Sequence, residues 1–155
     1  MNKKITLRRS ASLALVFVLL LCSMTIPTGA VESVYQKNEI VETEFGLIEV
    51  ETVLTVYNSL NRSNTKSADY TQTVKFSGNV VAEVTLSATF GYDGKTAWVS
   101  SASGSRTTYD GWSYGGEKIT KSGGTAKLTA TLSHILHRSI PINASLTCSP
   151  TGQIS

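Results

Sequence analysis

From residue 47 onward, apolar and polar residues alternate in short runs broken by Gly, Asn and Ser, the period-two signature of half-buried β-strands. Leu47 to Tyr57 puts Ile48, Val50, Leu54 and Val56 on one face, and its β-branched content suits a pleated surface. Asn58 to Ala68 reads as a polar loop, and Tyr70 to Phe76 resumes strand character until Ser77-Gly78-Asn79. The clearest alternation follows, with Val80, Ala82, Val84, Leu86, Ala88 and Phe90 on one face and Asn79, Val81, Glu83, Thr85, Ser87 and Thr89 on the other. Asp93-Gly94 is a hairpin signal leading into a return strand at Lys95–Ser103. Further strands are predicted at Thr108–Tyr114, Ala126–Ser133 and Ile140–Cys148, separated by Gly115-Gly116, Ser122-Gly123-Gly124 and a turn around Pro150.

About seven short strands, each with one apolar face needing cover, predict an all-β fold: an antiparallel β-sandwich, with an open β-barrel as the alternative. Downstream of the N-terminal segment no amphipathic helix is predicted. The resemblance between residues 82–90 and 126–133 does not amount to a repeat, because any two Thr-rich strands of period two look alike.

The N-terminus breaks this pattern. Lys3, Lys4, Arg8 and Arg9 precede the apolar run Leu13 to Cys22, and Thr28-Gly29-Ala30 supplies small residues for cleavage. This order describes a secretory signal peptide at 1–30, since the apolar run is about half of the ~20 residues a membrane span needs. The mature chain then starts near Val31 and is secreted, released to the medium or loosely associated with the cell wall, without a stable membrane anchor. Leu20-Leu21 before Cys22 do not fit a lipoprotein signal, which wants a small residue ahead of its cysteine. Cys148 is left as a single thiol, so the domain must be held by its core rather than by a disulfide.

Removing the signal also changes the charge. Four of the 14 basic residues lie in it and none of the 11 acidic ones, leaving a mature net charge of −1. That balance offers no support for a nucleic-acid partner. Residues 31–51 hold six Glu against Lys37, and residues 52–155 hold nine basic against five acidic residues. The division expected is an acidic, partly disordered leader at 31–46, serving solubility or alternatively docking, and a β-sandwich domain at 47–155.

Chemistry-bearing patterns are few. His134 and His137 are spaced i, i+3, which brings both rings together only on a helix or tight turn, and no Cys, Asp or Glu lies close in sequence to complete a metal shell. Cys148 continues the apolar alternation Ile142, Ala144, Leu146 and reads as core. The pairs Glu42/Glu44 and Glu49/Glu51 share strand faces by spacing, as a glycosidase pair might, but belong to the acid-rich segment and read as solvated. Nucleophile-elbow, phosphate-loop and calcium-loop motifs are absent. No cofactor is expected.

The remaining feature is aromatic: Trp98, Tyr109, Trp112 and Tyr114 among Ser, Thr, Gly and Asp. If Thr108–Tyr114 is extended, Asp110, Trp112 and Tyr114 share one face. A two-residue Asp93-Gly94 loop pairs Tyr92 with Lys95 and Thr89 with Trp98, turning Trp98 outward; a three-residue loop would turn it into the core. Trp98, Asp110, Trp112 and Tyr114 are therefore the candidate ligand-binding residues, against the competing reading that small sandwiches bury their tryptophans. The expected function is non-catalytic binding of cell-wall or host glycan, or of an extracellular protein, with a small hydrolase and a structural cell-surface protein as alternatives. The signal, the Tyr92-Asp93-Gly94 hairpin after Ala88-Thr89-Phe90, and the ending Ser145-Leu146-Thr147-Cys148-Ser149-Pro150-Thr151-Gly152 resemble small exported proteins of Gram-positive bacteria; this implies export and assigns no site.

The intact mass of the secreted chain should correspond to a start at or within a few residues of Val31. A retained apolar segment, or a lipid-modified Cys22, would overturn the assignment of a soluble exported protein.

Overall fold

The computed structural model describes residues 29–43, 46–59 and 64–155; the signal-peptide segment lies outside them. The chain is all-β, with eight antiparallel strands in two sheets that do not close into a barrel. The larger sheet has the order β1-β2-β3-β4-β5, formed by Gly29–Thr43, Gly46–Ser59, Thr65–Phe76, Asn79–Tyr92 and Ala97–Thr108. The smaller has the order β6-β7-β8, formed by Ser113–Ser122, Thr125–His134 and His137–Thr147. Every neighbour in a sheet is also a neighbour in sequence, so each sheet is a meander built from local hairpins. Pro141 lies in β8, an edge strand, where a missing N–H costs least.

Turn chemistry sets the hairpins. Ser77-Gly78 joins β3 to β4 with both residues at positive φ, the backbone twist that two-residue hairpins require. Asp93 caps its own loop: one carboxylate oxygen accepts from the Lys95 and Thr96 amides and the other from the Thr96 hydroxyl. Those backbone donors hold the Asp93 carboxyl below the ordinary carboxylate range.

The core lies between the inward faces of β3 to β5 and all three strands of the smaller sheet. Val74, Val84, Leu86 and Phe90 face Leu128, Leu132 and Leu146, all fully buried. Each such side chain contributes roughly 1.5–3 kcal/mol through its removal from water. The alternation Ala126, Leu128, Ala130, Leu132 opposite Leu146, Ala144, Ile142, Ile140 carries the predicted period through both strands of the β7–β8 hairpin. Beyond Thr147 the chain hooks back: Cys148 bridges to Ile154, and the Gly94 amide donates to the Pro150 carbonyl. Gly152 sits at positive φ under the Tyr92 ring, where a Cβ would approach to 2.6 Å, so any other residue would be strained in its backbone and would have to displace the ring.

Several elements differ from the sequence reading. β3 begins at Thr65, inside the stretch read as a loop, β6 runs through Gly115-Gly116, read as a separator, and Val81, placed on the polar face of its strand, is buried at the bulge opposite Val74 and Lys75. The acidic segment read as a leader is β1, paired with β2 from Gly29↔Ser59 to Thr43↔Gly46 with a bulge between Val31 and Ser33. Its alternation is obscured because neither face is covered, and Val31, Val34, Tyr35, Ile40 and Val41 are all exposed. Thr108–Tyr114 is not a strand. The stretch is split by a tight turn at Asp110-Gly111, both at positive φ, with the Trp112 amide donating to the Tyr109 carbonyl. A second Tyr-Asp-Gly, at 109–111, thus repeats the turn signal of Tyr92-Asp93-Gly94, and here it passes the chain from one sheet to the other.

Cys148 is buried, and burial pushes its thiol above the usual range. A thiol reagent should label the native protein far more slowly than the unfolded one, with the native rate rising as pH increases. Cys148→Ser should cost on the order of 1–2 kcal/mol in chemical denaturation, because a hydroxyl loses more than a thiol on leaving water and the site offers it only the Ser149 carbonyl, to which the thiol donates at 3.4 Å. Fast labelling of the folded chain at neutral pH would show the thiol to be accessible.

Candidate functional site

The four residues singled out from the sequence do not share a surface. Trp112 is 6 % exposed and forms the centre of an aromatic plug closing one end of the sandwich. Its ring lies 5.9 Å from Phe76, 5.3 Å from His134 and 5.9 Å from His137, the last stacked. The two histidines meet because Ile135-Leu136 is a two-residue turn that sets His134 opposite His137, with ring centroids 4.6 Å apart. The Leu136 amide donates to His134 Nδ1, so this ring is engaged in the turn as well as in the plug. Among the described residues no group of three metal-ligating side chains forms around them.

Tyr114 is half-buried at the junction of β5 and β6. Its hydroxyl donates to Glu117 Oε2 at 2.8 Å, and the Arg106 guanidinium lies 4.9 Å from the ring centroid. Burial first, then the bond to the Glu117 carboxylate, drives the Tyr114 hydroxyl far above its ordinary range, so it stays a donor. Asp110 is exposed in the positive-φ turn that precedes Trp112. These residues connect the two sheets.

Trp98 is different. It is 46 % exposed on the outer face of the larger sheet. The hairpin register is Tyr92↔Ala97 and Gly91↔Trp98, around a four-residue loop Asp93 to Thr96 rather than the two-residue loop expected. A two-residue lengthening of the loop preserves side-chain parity, so Trp98 keeps its outward direction although its partner changes from Thr89 to Gly91. The indole lies over Gly91: a Cβ there would meet the ring at 2.4 Å. A bare glycine beneath an aromatic is a known way of stabilising a strand pair.

Beside Trp98 the outer face is an array of short polar side chains in register. One row across the strands runs Tyr57, Ser67, Thr89, Ser101; the next runs Thr55, Asp69, Ser87, Ser103; the third runs Val53, Thr71, Thr85, Ser105. Several of these close hydroxyl pairs across strands, Ser67 with Thr89 at 3.0 Å and Thr71 with Thr85 at 2.9 Å. The Tyr57 hydroxyl donates to Asp69 Oδ2 at 3.2 Å, diagonally between the first two rows. Burial, followed by the adjacent Asp69 carboxylate, raises the Tyr57 hydroxyl above its usual range and keeps it protonated. The first two rows line an open groove of about 300 Å³.

Chemically, this groove presents hydroxyls able both to donate and to accept, one carboxylate among its lining side chains, and a tyrosine edge. Trp98 stands one row beyond it, at the position of Thr65 and Gly91. The sequence had shown Thr85, Ser87 and Thr89 as the polar side of one strand. That four adjacent strands stack their polar sides into one face follows from the registers, and the chain pattern alone does not contain them.

Comparison of the chain with protein-family models, with curated proteins and with solved structures finds no match, so residue roles rest on this geometry.

The two tryptophans should separate in denaturation. Trp112→Ala should lower stability by about 3–5 kcal/mol, the cost of a large cavity in a packed site. Trp98→Ala should leave the melting temperature almost unchanged, losing only the cover over Gly91. Equal losses in the two variants would contradict the exposed position of Trp98.

Proposed function

We propose that this chain is a secreted, non-catalytic glycan-binding module that engages cell-wall or host polysaccharide through the outer face of its five-stranded sheet. The observation that carries this reading is the alignment of Tyr57, Asp69, Ser87, Thr89, Ser101 and Ser103 along one groove, with the half-exposed Trp98 at its end. Sugars present vicinal hydroxyls around a weakly apolar ring face. A carboxylate accepts from two such hydroxyls, neighbouring Ser and Thr hydroxyls satisfy others, and an exposed indole covers the C–H face of a ring.

The side chains involved are short, so little rotamer entropy is lost when they are held by a ligand. The Ser67–Thr89 hydroxyl pair and the bond from the Tyr57 hydroxyl to Asp69 hold four of the lining side chains in place before any ligand arrives. A glycosidase by contrast needs two carboxylates about 5–10 Å apart flanking the bond to be cleaved. The groove's lining supplies only Asp69, which supports binding without hydrolysis.

A screen of the mature protein against soluble cell-wall polymers and host glycans, followed by calorimetry on the hits, tests the proposal. Asp69→Asn and Trp98→Ala should each weaken binding by roughly 1–3 kcal/mol with the fold intact, the range of a binding hot spot. Lys127→Ala, on the outer face of the smaller sheet, should bind like the parent chain. Absence of any glycan binding at millimolar concentration, or binding indifferent to both groove variants, would overturn it.

A further inference from the structure

β1 ends the larger sheet with an open edge. Among the described strands it pairs with β2 alone, the Glu32–Lys66 ion pair near its start reaching across to β3, and the smaller sheet packs against β3, β4 and β5 without reaching it. An unpaired edge presents free N–H and C=O groups along its length and is a template for another strand. The register with β2 fixes which side chains point where: Tyr35, Lys37, Glu39 and Val41 lie on the face that carries Leu54, Thr52, Val50 and Ile48, continuous with the core side of the sheet. All four are more than half exposed, Tyr35 at 63 % and Val41 at 52 %. Lys37 pairs with Glu39 along the same strand.

Inward-pointing charges on an edge strand ordinarily keep it from associating. Here their order does the opposite for one partner. The sequence Tyr35-x-Lys37-x-Glu39-x-Val41 is self-complementary when read against its own reverse. In an antiparallel pairing of two copies with Asn38 on the twofold axis, Lys37 faces Glu39 of the second copy on both sides of the axis, and Tyr35 faces Val41. On the other face Gln36 meets Ile40 and Asn38 meets Asn38. Opposite charges and aromatic with β-branched residues are the cross-strand pairs that stabilise a sheet.

Alternative registers that keep the inward faces together fare worse. Centring on Lys37 sets Lys37 against Lys37, and centring on Glu39 sets Glu39 against Glu39, both like-charge pairs. Centring on Gln36 or Ile40 leaves the charges opposite tyrosine, serine, valine or threonine. Only the Asn38 register pairs both charges, and a twofold contact of this kind is closed, so it gives a dimer rather than a fibre.

We propose that the protein forms a homodimer by antiparallel pairing of β1 with β1 about Asn38, joining the two five-stranded sheets into one continuous sheet. The interface is remote from the groove on the outer face of β2 to β5 in its key contacts, and the dimer stands or falls independently of glycan binding. Two copies would place two grooves on one sheet surface, doubling the sites available to a polymeric ligand.

Sedimentation of the mature chain over a range of concentrations, at low and high salt, should show a monomer–dimer equilibrium that weakens with salt. Lys37→Glu and Glu39→Lys should each weaken dimerisation at least tenfold, by creating like-charge pairs. The double exchange Lys37→Glu/Glu39→Lys should restore it to near the parent value, because the symmetric register again pairs opposite charges. Circular dichroism and melting at low concentration check that the variants fold, and the exposure of both side chains implies that they will.

A covalent test reads the register directly. Asn38→Cys should form a disulfide-linked dimer on mild oxidation, since directly opposed residues of antiparallel strands lie about 4.5–5.5 Å apart at Cα, within disulfide range. Gln36→Cys should not, because its copy is offset by four residues, about 13 Å along the strand. A chain monomeric at all concentrations overturns the proposal, as does a dimer unaffected by the single charge reversals or cross-linked equally at both positions.

Discussion

A sheet of five strands covered by a sheet of three is the constraint from which the rest of the structure follows. Three strands can shield little more than three, so the sequestered core is centred where β3, β4 and β5 face β6, β7 and β8, with Val56 of β2 at its margin. There the inward positions are large and fully buried, Phe90 and Leu86 against Leu128, Leu132 and Leu146. Moving outward along one row of the large sheet, Val84 gives way to Gln72, then Thr52, then Lys37. Polarity rises as cover is lost. β2 is the transition, with Val56 and Thr52 buried and Val50 and Leu54 only partly so, while β1 is exposed on both faces. A strand in that position contributes little to the core and owes its order to backbone pairing with β2, which leaves its side chains free to specify a partner.

The same imbalance explains which parts of the chain could be read in advance. β7 throughout, and β4 from Ala82 to Phe90, are buried on one face and more exposed on the other, so their alternation is legible, as is the two-layer fold they require. β1 has no buried face to impose a pattern. Its Glu content therefore dominates its appearance, and composition points to disorder where backbone pairing makes a strand. The turn at 109–112 was hidden for another reason. Tyr109, Trp112 and Tyr114 have the aromatic content of a strand, and that impression masked Asp110-Gly111, although the same dipeptide had been read as a turn at 93–94. Local turn chemistry outweighs β-propensity there because two successive residues adopt positive φ, which a strand cannot accommodate.

Side-chain parity is more robust than register. The loop between β4 and β5 is longer than expected by two residues, and every partner assigned to β5 shifts, yet Trp98 stays on the outer face because the change is even. Trp112 had no such protection: its direction was inferred from an extended backbone that is not there. The turn at Asp110-Gly111 swings it toward Phe76, His134 and His137, where ring packing excludes water from the end of the sandwich. One tryptophan serves cohesion and the other is available at the surface. Burial separates these roles, and sequence composition treats the two residues alike.

The outer face of the large sheet shows how a surface can be organised without being apolar. Ser and Thr in adjacent strands usually count only as solvent-facing filler, compatible with strand propensity and indifferent to their neighbours. When successive hairpins hold β2, β3, β4 and β5 in registers that keep the same parity, these residues fall into rows, and hydroxyls at 2.9–3.0 Å constrain one another across strands. The face then combines a fixed geometry with donors and acceptors that can exchange roles, on a scaffold whose opposite side carries the packed core. Rigidity of that kind lowers the ordering cost of binding a hydroxylated ligand. It also costs the fold little, because an exposed Ser or Thr can be changed without opening a cavity, whereas each inward position of β4 is tied to the sheet opposite. On the proposed reading, recognition and stability thus rest on alternate residues of the same strands, and the period of two that specifies the fold is what keeps them apart.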